Sequence, residues 1–143
     1  MIVGTFPYIT AATAVVLAVF QMLLLFYVAN GRGKYKTGLG DGGQPGLIRR
    51  VRIHGNLAEN APIFLILLAL VEASGKWVGL VPPIAAAFLL FRLSHAIGLL
   101  IGDGPNVFRF VGVMGSVFSI LGLAALMAMT LSSDTHWLPA MLR

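Results

Sequence analysis

The sequence predicts an all-α membrane protein built as a bundle of four transmembrane helices. Of its 143 residues, 58% are hydrophobic and only 10% are charged, too little charge to cover the surface of a soluble domain. Four segments each supply the roughly 20 mainly apolar residues that a helix needs to cross a bilayer. Basic residues cluster between the first two of these segments, which is typical of a cytoplasmic loop.

The four helices follow in order from the apolar runs and the turn signals between them. The predicted spans are residues 6–30, 47–74, 82–101 and 106–131. The turn "SGKW" ends the second span, and Pro82 and Pro83 suit the first turn of the third. The fourth span is entered through the turn "GDGPN". With no long linker and no internal repeat, residues 1–143 are predicted to form a single domain.

The distribution of charge predicts how the chain is oriented in the membrane. Six basic residues lie in or beside the first loop: Arg32, Lys34, Lys36, Arg49, Arg50 and Arg52. The second loop holds Lys76 alone, so the positive-inside rule puts residues 31–52 in the cytoplasm and both termini outside. The same topology puts Arg109 on the cytoplasmic side. Apart from Tyr35, no aromatic residue interleaves with this basic cluster, so no nucleic-acid partner is predicted.

Polar residues continue from the basic loop into the second span. Arg52, Asn56 and Glu59 are spaced i, i+4 and i+7 and therefore share one helix face. In the third span, Arg92 and His95 also share a face. Glu59 and Arg92 each lie roughly 14 Å below the cytoplasmic end of their helix at ~1.5 Å per residue. A charge inside a bilayer costs ~3 to more than 10 kcal/mol unless it is paired or hydrated. Their equal depth suggests an ion pair, and the two are expected to satisfy either each other or polar neighbours.

A single structural ion pair would explain Glu59 and Arg92, but not the other polar groups. The remaining groups in the cytoplasmic half are Arg52, His54, Asn56, Asn60, His95 and Arg109. We expect this set, drawn from three helices, to form a shielded site, although His54 is better explained as a headgroup contact. The alternatives are a hydrogen-bonded core histidine for His95 and an interhelical hydrogen bond for Asn60. Many arginines with few carboxylates indicate an anion, and a small peptide such as glutathione has the matching groups. No trio of histidine and carboxylate has metal-ligand spacing, so no metal is predicted.

The fourth span and the second span carry signals for helix packing. Small residues form a stripe along the fourth span: Gly112, Gly115, Ser116, Ser119 and Gly122. Such a stripe permits close approach of a neighbouring helix. The first turns of the second span are too polar to face lipid, and four helices provide limited cover. An oligomer with this polar face at or near a subunit interface is therefore expected.

Three stretches resemble the MAPEG family, the membrane-associated proteins in eicosanoid and glutathione metabolism. "RIHGNLAENAP" resembles the second-helix motif of that family, with its Arg-x-x-x-Asn-x-x-Glu core at Arg52, Asn56 and Glu59. "FRLSHAIGL" resembles the third-helix Arg-x-x-His pattern at Arg92 and His95. "PNVFR" resembles the start of the fourth helix, which carries a thiol-activating arginine in the family.

The resemblance implies a homotrimer in a membrane, with glutathione as co-substrate bound between subunits near the cytoplasmic face. The implied glutathione-binding residues are Arg49, Arg52, Asn56, Glu59, Arg92 and His95, and Arg109 would be the catalytic residue that stabilises the thiolate. Leu99 replaces a tyrosine of the eicosanoid enzymes, and Phe110 replaces a serine of some members. These departures argue against a prostaglandin- or leukotriene-type substrate. The chain is more similar to the bacterial branch of the family, and that similarity implies a location in the inner membrane.

Two functions follow from this resemblance, and a third competes with it. The favoured function is a glutathione-dependent transferase or peroxidase for lipophilic electrophiles. The alternative on the same scaffold is a non-catalytic protein that binds lipid or glutathione. A small proton-coupled exporter would also carry an intramembrane glutamate. It would have one dominant carboxylate in a largely uncharged bundle, whereas arginines predominate here.

Overall fold

The computed structural model describes residues 6–102 and 104–133, and within these ranges the chain forms four α-helices. They are α1 (Tyr8–Tyr35), α2 (Pro45–Ala73), α3 (Val81–Ile101) and α4 (Val107–Ser133). All four are long and apolar enough to cross a membrane. Short loops join them, so sequential helices run antiparallel. The predicted all-α membrane bundle of four helices is confirmed, whereas residues 1–5 and 134–143 lie outside the described part.

Helix α1 continues five residues beyond its predicted end near residue 30. The added turn contains Arg32 and Lys34, which are polar but do not disfavour a helix. The helix ends where Lys36 adopts the left-handed conformation, with φ 51°. The N–H of Thr37 then donates to the carbonyl of Arg32 at 3.0 Å and closes the last turn. The predicted end was based on hydropathy, which falls where the apolar run ends near residue 30. The helix continues beyond that run and ends at the Lys36 cap.

The start of α1 is capped by a carboxylate from α2. Glu72 accepts hydrogen bonds from the backbone N–H groups of Ile9 and Thr10, at 2.9 and 2.8 Å. It also accepts one from the hydroxyl of Thr10, at 2.8 Å. These N–H groups have no acceptor within their own helix, and a negative charge there is stabilised by the helix dipole. Glu72 therefore ties the end of α2 to the start of α1.

The centre of the bundle is an aromatic contact between α2 and α3. The rings of Phe64 and Phe88 stack with centroids 3.7 Å apart and an angle of 3° between their planes. Both side chains are fully buried. Leu57, Leu68 and Leu123 complete the apolar core around them. This core lies between the Glu72 cap and the opposite end of the bundle, where the basic residues cluster; we call that opposite end the basic end.

Glycines bring α3 and α4 into close contact near the basic end. A Cβ atom added to Gly112 would lie 2.5 Å from the backbone nitrogen of His95. One added to Gly98 would lie 2.6 Å from the backbone nitrogen of Arg109, and one on Gly115 would collide with the ring of Phe91. The predicted small-residue contact is therefore confirmed for Gly112 and Gly115. It does not include Gly122, where an added Cβ would meet nothing within 4 Å.

We predict that Gly112→Ala destabilises the bundle by about 1–3 kcal/mol, because the added methyl group overpacks the backbone of α3. Gly122→Ala is the matched control, since it makes the same change on the same helix in open space. We expect the control to be neutral or to stabilise the protein by up to ~1 kcal/mol through helix propensity. Unfolding by SDS in mixed micelles, followed by tryptophan fluorescence, measures both. Equal effects of the two variants would contradict the close contact.

We also predict that Glu72→Gln lowers the free energy of unfolding by about 0.5–2 kcal/mol. The variant loses the charge at the α1 N-terminus and one of the two acceptor oxygens that the cap uses. Glu59→Gln is the control, because Glu59 is exposed and caps none of the four described helices. The same SDS titration compares them. An unchanged stability for Glu72→Gln would show that the cap contributes nothing measurable.

Candidate functional site

A cavity opens at the basic end between α2, α3 and α4. Its volume is about 690 Å³. The described residues that line it are Pro45, Ile48, Arg49, Arg52, Asn56, His95, Leu99, Arg109 and Val113. Five of the seven residues predicted for the site are in this lining. The structure therefore brings side chains from three separate stretches of sequence to one place.

Helix α2 supplies three of these five residues from a single face. Arg49, Arg52 and Asn56 follow each other at i, i+3 and i+7. The amide nitrogen of Asn56 donates to the carbonyl of Arg52 at 2.9 Å. Asn60 makes the same type of bond to the carbonyl of Asn56 at 2.8 Å. These bonds within the helix hold both amides close to the backbone, and only Asn56 reaches the cavity.

The other basic residues of the first loop have different partners. Arg50 donates to the carbonyl of Tyr27 at 2.8 Å, and its guanidinium lies 4.0 Å from the centroid of the Tyr27 ring. Arg32 donates to the carbonyl of Gly38 at 2.7 Å. Arg50 thus holds α2 against α1, and Arg32 holds the loop. The arginines of the first loop therefore have two roles: Arg32 and Arg50 hold the structure together, whereas Arg49 and Arg52 face the cavity.

Arg109 reaches the cavity from the first turn of α4, and Asn106 fixes that turn. The Asn106 side-chain oxygen accepts a hydrogen bond from the backbone N–H of Arg109 at 3.0 Å. Its amide nitrogen donates to the carbonyl of Gly98, in the last turn of α3, at 2.8 Å. Asn106 is thus the N-cap of α4 and its link to α3. Sequence reasoning assigned Asn106 no role, although an asparagine immediately before an apolar helix is a cap signal.

The position of Arg109 favours a bound anion. Its guanidinium donates to the carbonyl of Gly104 at 2.9 Å, within the loop that precedes α4. The positive end of the α4 dipole adds to the charge of the side chain. Together the guanidinium and the helix N-terminus make a region where negative charge is stabilised.

Arg92 lies behind the cavity wall and does not line it. Its side chain is 4% exposed. It donates to the backbone carbonyls of Asn56 on α2 and Gly112 on α4, both at 3.1 Å. Its guanidinium lies 5.7 Å from the centroid of the Phe88 ring. Arg92 therefore joins three helices through backbone acceptors.

The suggested ion pair between Glu59 and Arg92 is not formed, and Arg92 is satisfied by polar neighbours, which was the alternative to that pair. Glu59 is exposed on α2, whereas Arg92 faces the interior of the bundle. The prediction relied on equal depth in the membrane, but depth does not determine which way each helix face is turned. Glu59 shares the α2 face of Arg52 and Asn56, beyond the described lining of the cavity.

His95 lines the cavity next to these cations and is 6% exposed. Neither of its ring nitrogens makes a hydrogen bond with a described residue. A second cavity of about 460 Å³ lies beside the first. Its described lining is His95, Pro105, Asn106, Arg109, Phe110, Val113 and Met114. The two cavities share His95, Arg109 and Val113, so a cationic compartment meets a more apolar one at these residues.

The described lining of the larger cavity contains three guanidinium groups and no carboxylate. Guanidinium groups bind carboxylates through paired hydrogen bonds and stay charged at any working pH. Within residues 6–102 and 104–133, no three His, Asp or Glu side chains are grouped to hold a metal ion. The arrangement is therefore suited to binding an organic anion.

Comparisons with known proteins agree with this architecture. The sequence profile of the MAPEG family matches residues 10–129. The chain is similar to the inner membrane protein YecN of Escherichia coli strain K12, with 34% identity over 90 residues. That alignment covers 63% of this chain and 69% of the relative. YecN of Escherichia coli O6:H1 strain CFT073 gives the same figures.

The family match covers parts of all four described helices, from α1 to α4. It also includes each of the seven residues predicted for the site. The chain therefore belongs to the MAPEG family.

Proposed function

We propose that this protein is a membrane-embedded, glutathione-dependent transferase or peroxidase that acts on lipophilic electrophiles. The observation that supports this proposal most directly is the cationic cavity. Arg49, Arg52 and Arg109 converge on it with Asn56 and His95. Glutathione carries two carboxylates, two peptide groups, one amino group and a thiol. The cavity offers a complementary partner for most of these groups.

The residues of α2 are proposed to bind the tripeptide. Arg49 and Arg52 would take its carboxylates through paired, charge-assisted hydrogen bonds. Asn56 would bind a peptide group, because an amide both donates and accepts. Glu59, next along the same helix face, would bind the amino group. Arg92 would act from behind the wall through its positive charge.

Arg109 is proposed to hold the sulfur as a thiolate, which is the nucleophilic form. A thiol with an ordinary pKa of about 8.5 is mostly protonated at neutral pH, and cations and helix N-termini lower the pKa of such thiols to about 3.5–7.5. Arg109 combines both features, since it lies in the first turn of α4. The charge develops on sulfur beside a group that is already fixed in place.

The electrophile is proposed to occupy the second cavity. Pro105, Phe110, Val113 and Met114 give it an apolar wall next to Arg109. Leu99 adds hydrocarbon on the side of the neighbouring cationic cavity. A lipophilic molecule dissolved in the bilayer would find the smaller cavity without crossing water. This placement favours electrophiles that partition into lipid.

We further propose that the protein is a homotrimer in a bacterial inner membrane, with the cavity facing the cytoplasm and both termini outside. Arg52 and Glu59 are exposed on α2 of the single chain, on a face too polar for lipid. A neighbouring subunit would cover this face. The relative from strain K12 is named as an inner membrane protein.

The test uses purified protein in detergent with glutathione and either 1-chloro-2,4-dinitrobenzene or a lipid hydroperoxide. Glutathione binding is measured by calorimetry, and turnover by product absorbance. Binding together with turnover supports the proposal. Tight binding without turnover across several electrophiles would replace it with the non-catalytic binding protein. A protein that does not bind glutathione would refute both.

We predict that Arg109→Ala lowers kcat with either electrophile by about 10²–10³-fold, the usual cost of removing one group that stabilises developing charge. The dissociation constant of glutathione should change less than about threefold, because the other cations remain. Lys34→Ala removes one positive charge from an exposed position at the same end of the bundle and is the control. A loss of binding equal to the loss of turnover would contradict the assigned role.

We predict that Arg52→Ala weakens glutathione binding by about ten- to a hundredfold, since a hydrogen bond to a charged group contributes about 1.5–3 kcal/mol. At saturating glutathione, kcat should stay within about threefold of the wild-type value, because Arg52 binds the ligand away from the sulfur. Calorimetry and steady-state kinetics separate the two effects. An unchanged affinity would remove Arg52 from the proposed binding set.

A further inference from the structure

His95 occupies the junction between the two cavities. It is one of three residues that line both compartments, together with Arg109 and Val113. A group at this junction can contact a ligand of the cationic cavity and a ligand of the apolar one. The reaction between two such ligands would take place beside this imidazole.

The imidazole is almost fully buried, yet it makes no hydrogen bond with the described residues. Both ring nitrogens lack a partner. The backbone of Arg109 approaches the ring, without the geometry of a formed bond. More than nine in ten buried polar groups in proteins do have partners. The two nitrogens of His95 are therefore available to a molecule that enters the cavities.

Among the polar side chains of the described lining, only His95 can exchange a proton near neutral pH. The guanidinium groups of Arg49, Arg52 and Arg109 remain protonated. The amides of Asn56 and Asn106 do not titrate. A neutral imidazole carries one N–H and one free ring nitrogen, so it can both donate and accept a proton.

From these three observations we infer that His95 is the acid–base group of the site: it accepts the proton of the glutathione thiol and delivers it to the leaving oxygen of a lipid hydroperoxide. This inference rests on the proposed function. It adds a proton path to the charge stabilisation assigned to Arg109. It also selects hydroperoxides among the electrophiles that the apolar cavity would accept.

The steps balance without any further reagent. The S–H bond of glutathione breaks, the proton goes to a ring nitrogen of His95, and the electron pair stays on sulfur. The thiolate attacks the terminal oxygen of the hydroperoxide, the O–O bond breaks, and the alkoxide takes the proton from the imidazolium. Sulfur is oxidised to the sulfenic acid, and the peroxide is reduced to an alcohol. A second glutathione converts the sulfenic acid to the disulfide and releases water.

Charged groups on all three helices around His95 affect this transfer. They are Arg49 and Arg52 on α2, Arg92 on α3 and Arg109 on α4. All are guanidinium groups, which stay protonated over the pH range in which an imidazole titrates. The pH dependence of proton delivery would then report on the thiol–imidazole pair as a unit.

Comparing the two electrophiles distinguishes a role of His95 as an acid from a structural role, because only one of the two reactions needs a proton. Reduction of a hydroperoxide needs a proton on the leaving oxygen. Conjugation to 1-chloro-2,4-dinitrobenzene releases chloride, which needs none. Loss of the acid should therefore slow the first reaction and spare the second once the thiol is ionised. A residue that only shapes the cavity would affect both reactions alike.

The experiment compares the wild-type protein, His95→Gln and His54→Gln in detergent. His54→Gln makes the same change at a histidine that lines a different cavity between α1 and α2. For His95→Gln at saturating glutathione, we expect hydroperoxide turnover lowered by about 10²-fold or more. At alkaline pH its conjugation rate should stay within about threefold of the wild-type rate, and the control should match the wild type in every assay.

Two further measurements keep the test decisive if His95→Gln folds poorly. In the wild-type protein, hydroperoxide turnover should fall at alkaline pH as the shared proton is lost, while conjugation rises to a plateau. In His95→Ala, added imidazoles should restore hydroperoxide turnover in proportion to their basicity. Neither result is expected of a structural histidine.

The failures are distinguishable. A wild-type protein without glutathione binding overturns the proposed function and this inference with it. Wild-type turnover of both electrophiles, with equal effects of His95→Gln on the two, overturns the inference alone. Parallel pH profiles for the two wild-type reactions would do the same.

Discussion

The buried guanidinium of Arg92 constrains the whole basic end of the bundle. Its charge is shielded from solvent, and its hydrogen bonds go to backbone carbonyls of α2 and α4. These acceptors are dipoles and leave the charge in place, unlike a carboxylate. Removing one member of such a buried arrangement is strongly destabilising, so α2, α3 and α4 are held in one register. The same charge contributes positive potential to the cavity beyond Asn56, which favours an anionic ligand there.

The glycine contact between α3 and α4 determines how close His95 and Arg109 lie to each other. Because Gly98 and Gly112 have no side chains, the backbone of α4 can lie against His95. Asn106 then links the start of α4 to the end of α3, which places Arg109 in the first turn. Larger side chains at the two glycines would push Arg109 away from His95. Helix packing thus determines which groups meet at the junction of the cavities.

Much of the fold and part of the candidate site were predictable from the sequence, because a bilayer imposes strong rules on the composition and length of helices. The four helices, the shared face of Arg52 and Asn56, and the place of Arg109 at the start of α4 follow from spacing alone. The rotation of α3 about its axis does not, since it depends on side-chain packing against two neighbours. For that reason equal depth suggested an ion pair between Glu59 and Arg92 although they face different directions. The missing partners of His95 also required coordinates, because hydrogen bonding between distant segments leaves no local pattern.

On the proposed function, the site separates two tasks that many enzymes assign to neighbouring titratable groups. Arginines supply charge that never varies with pH, and a single imidazole handles the proton. The hydrocarbon of Leu99, Phe110 and Val113 lies beside these groups and lowers the local polarity, which strengthens the attraction between an anionic ligand and the guanidinium groups. Leu99 and Phe110 carry no hydroxyl group. On the proposed function, His95 is then the group of the described lining that delivers a proton, which links the choice of electrophile to the protonation of one side chain.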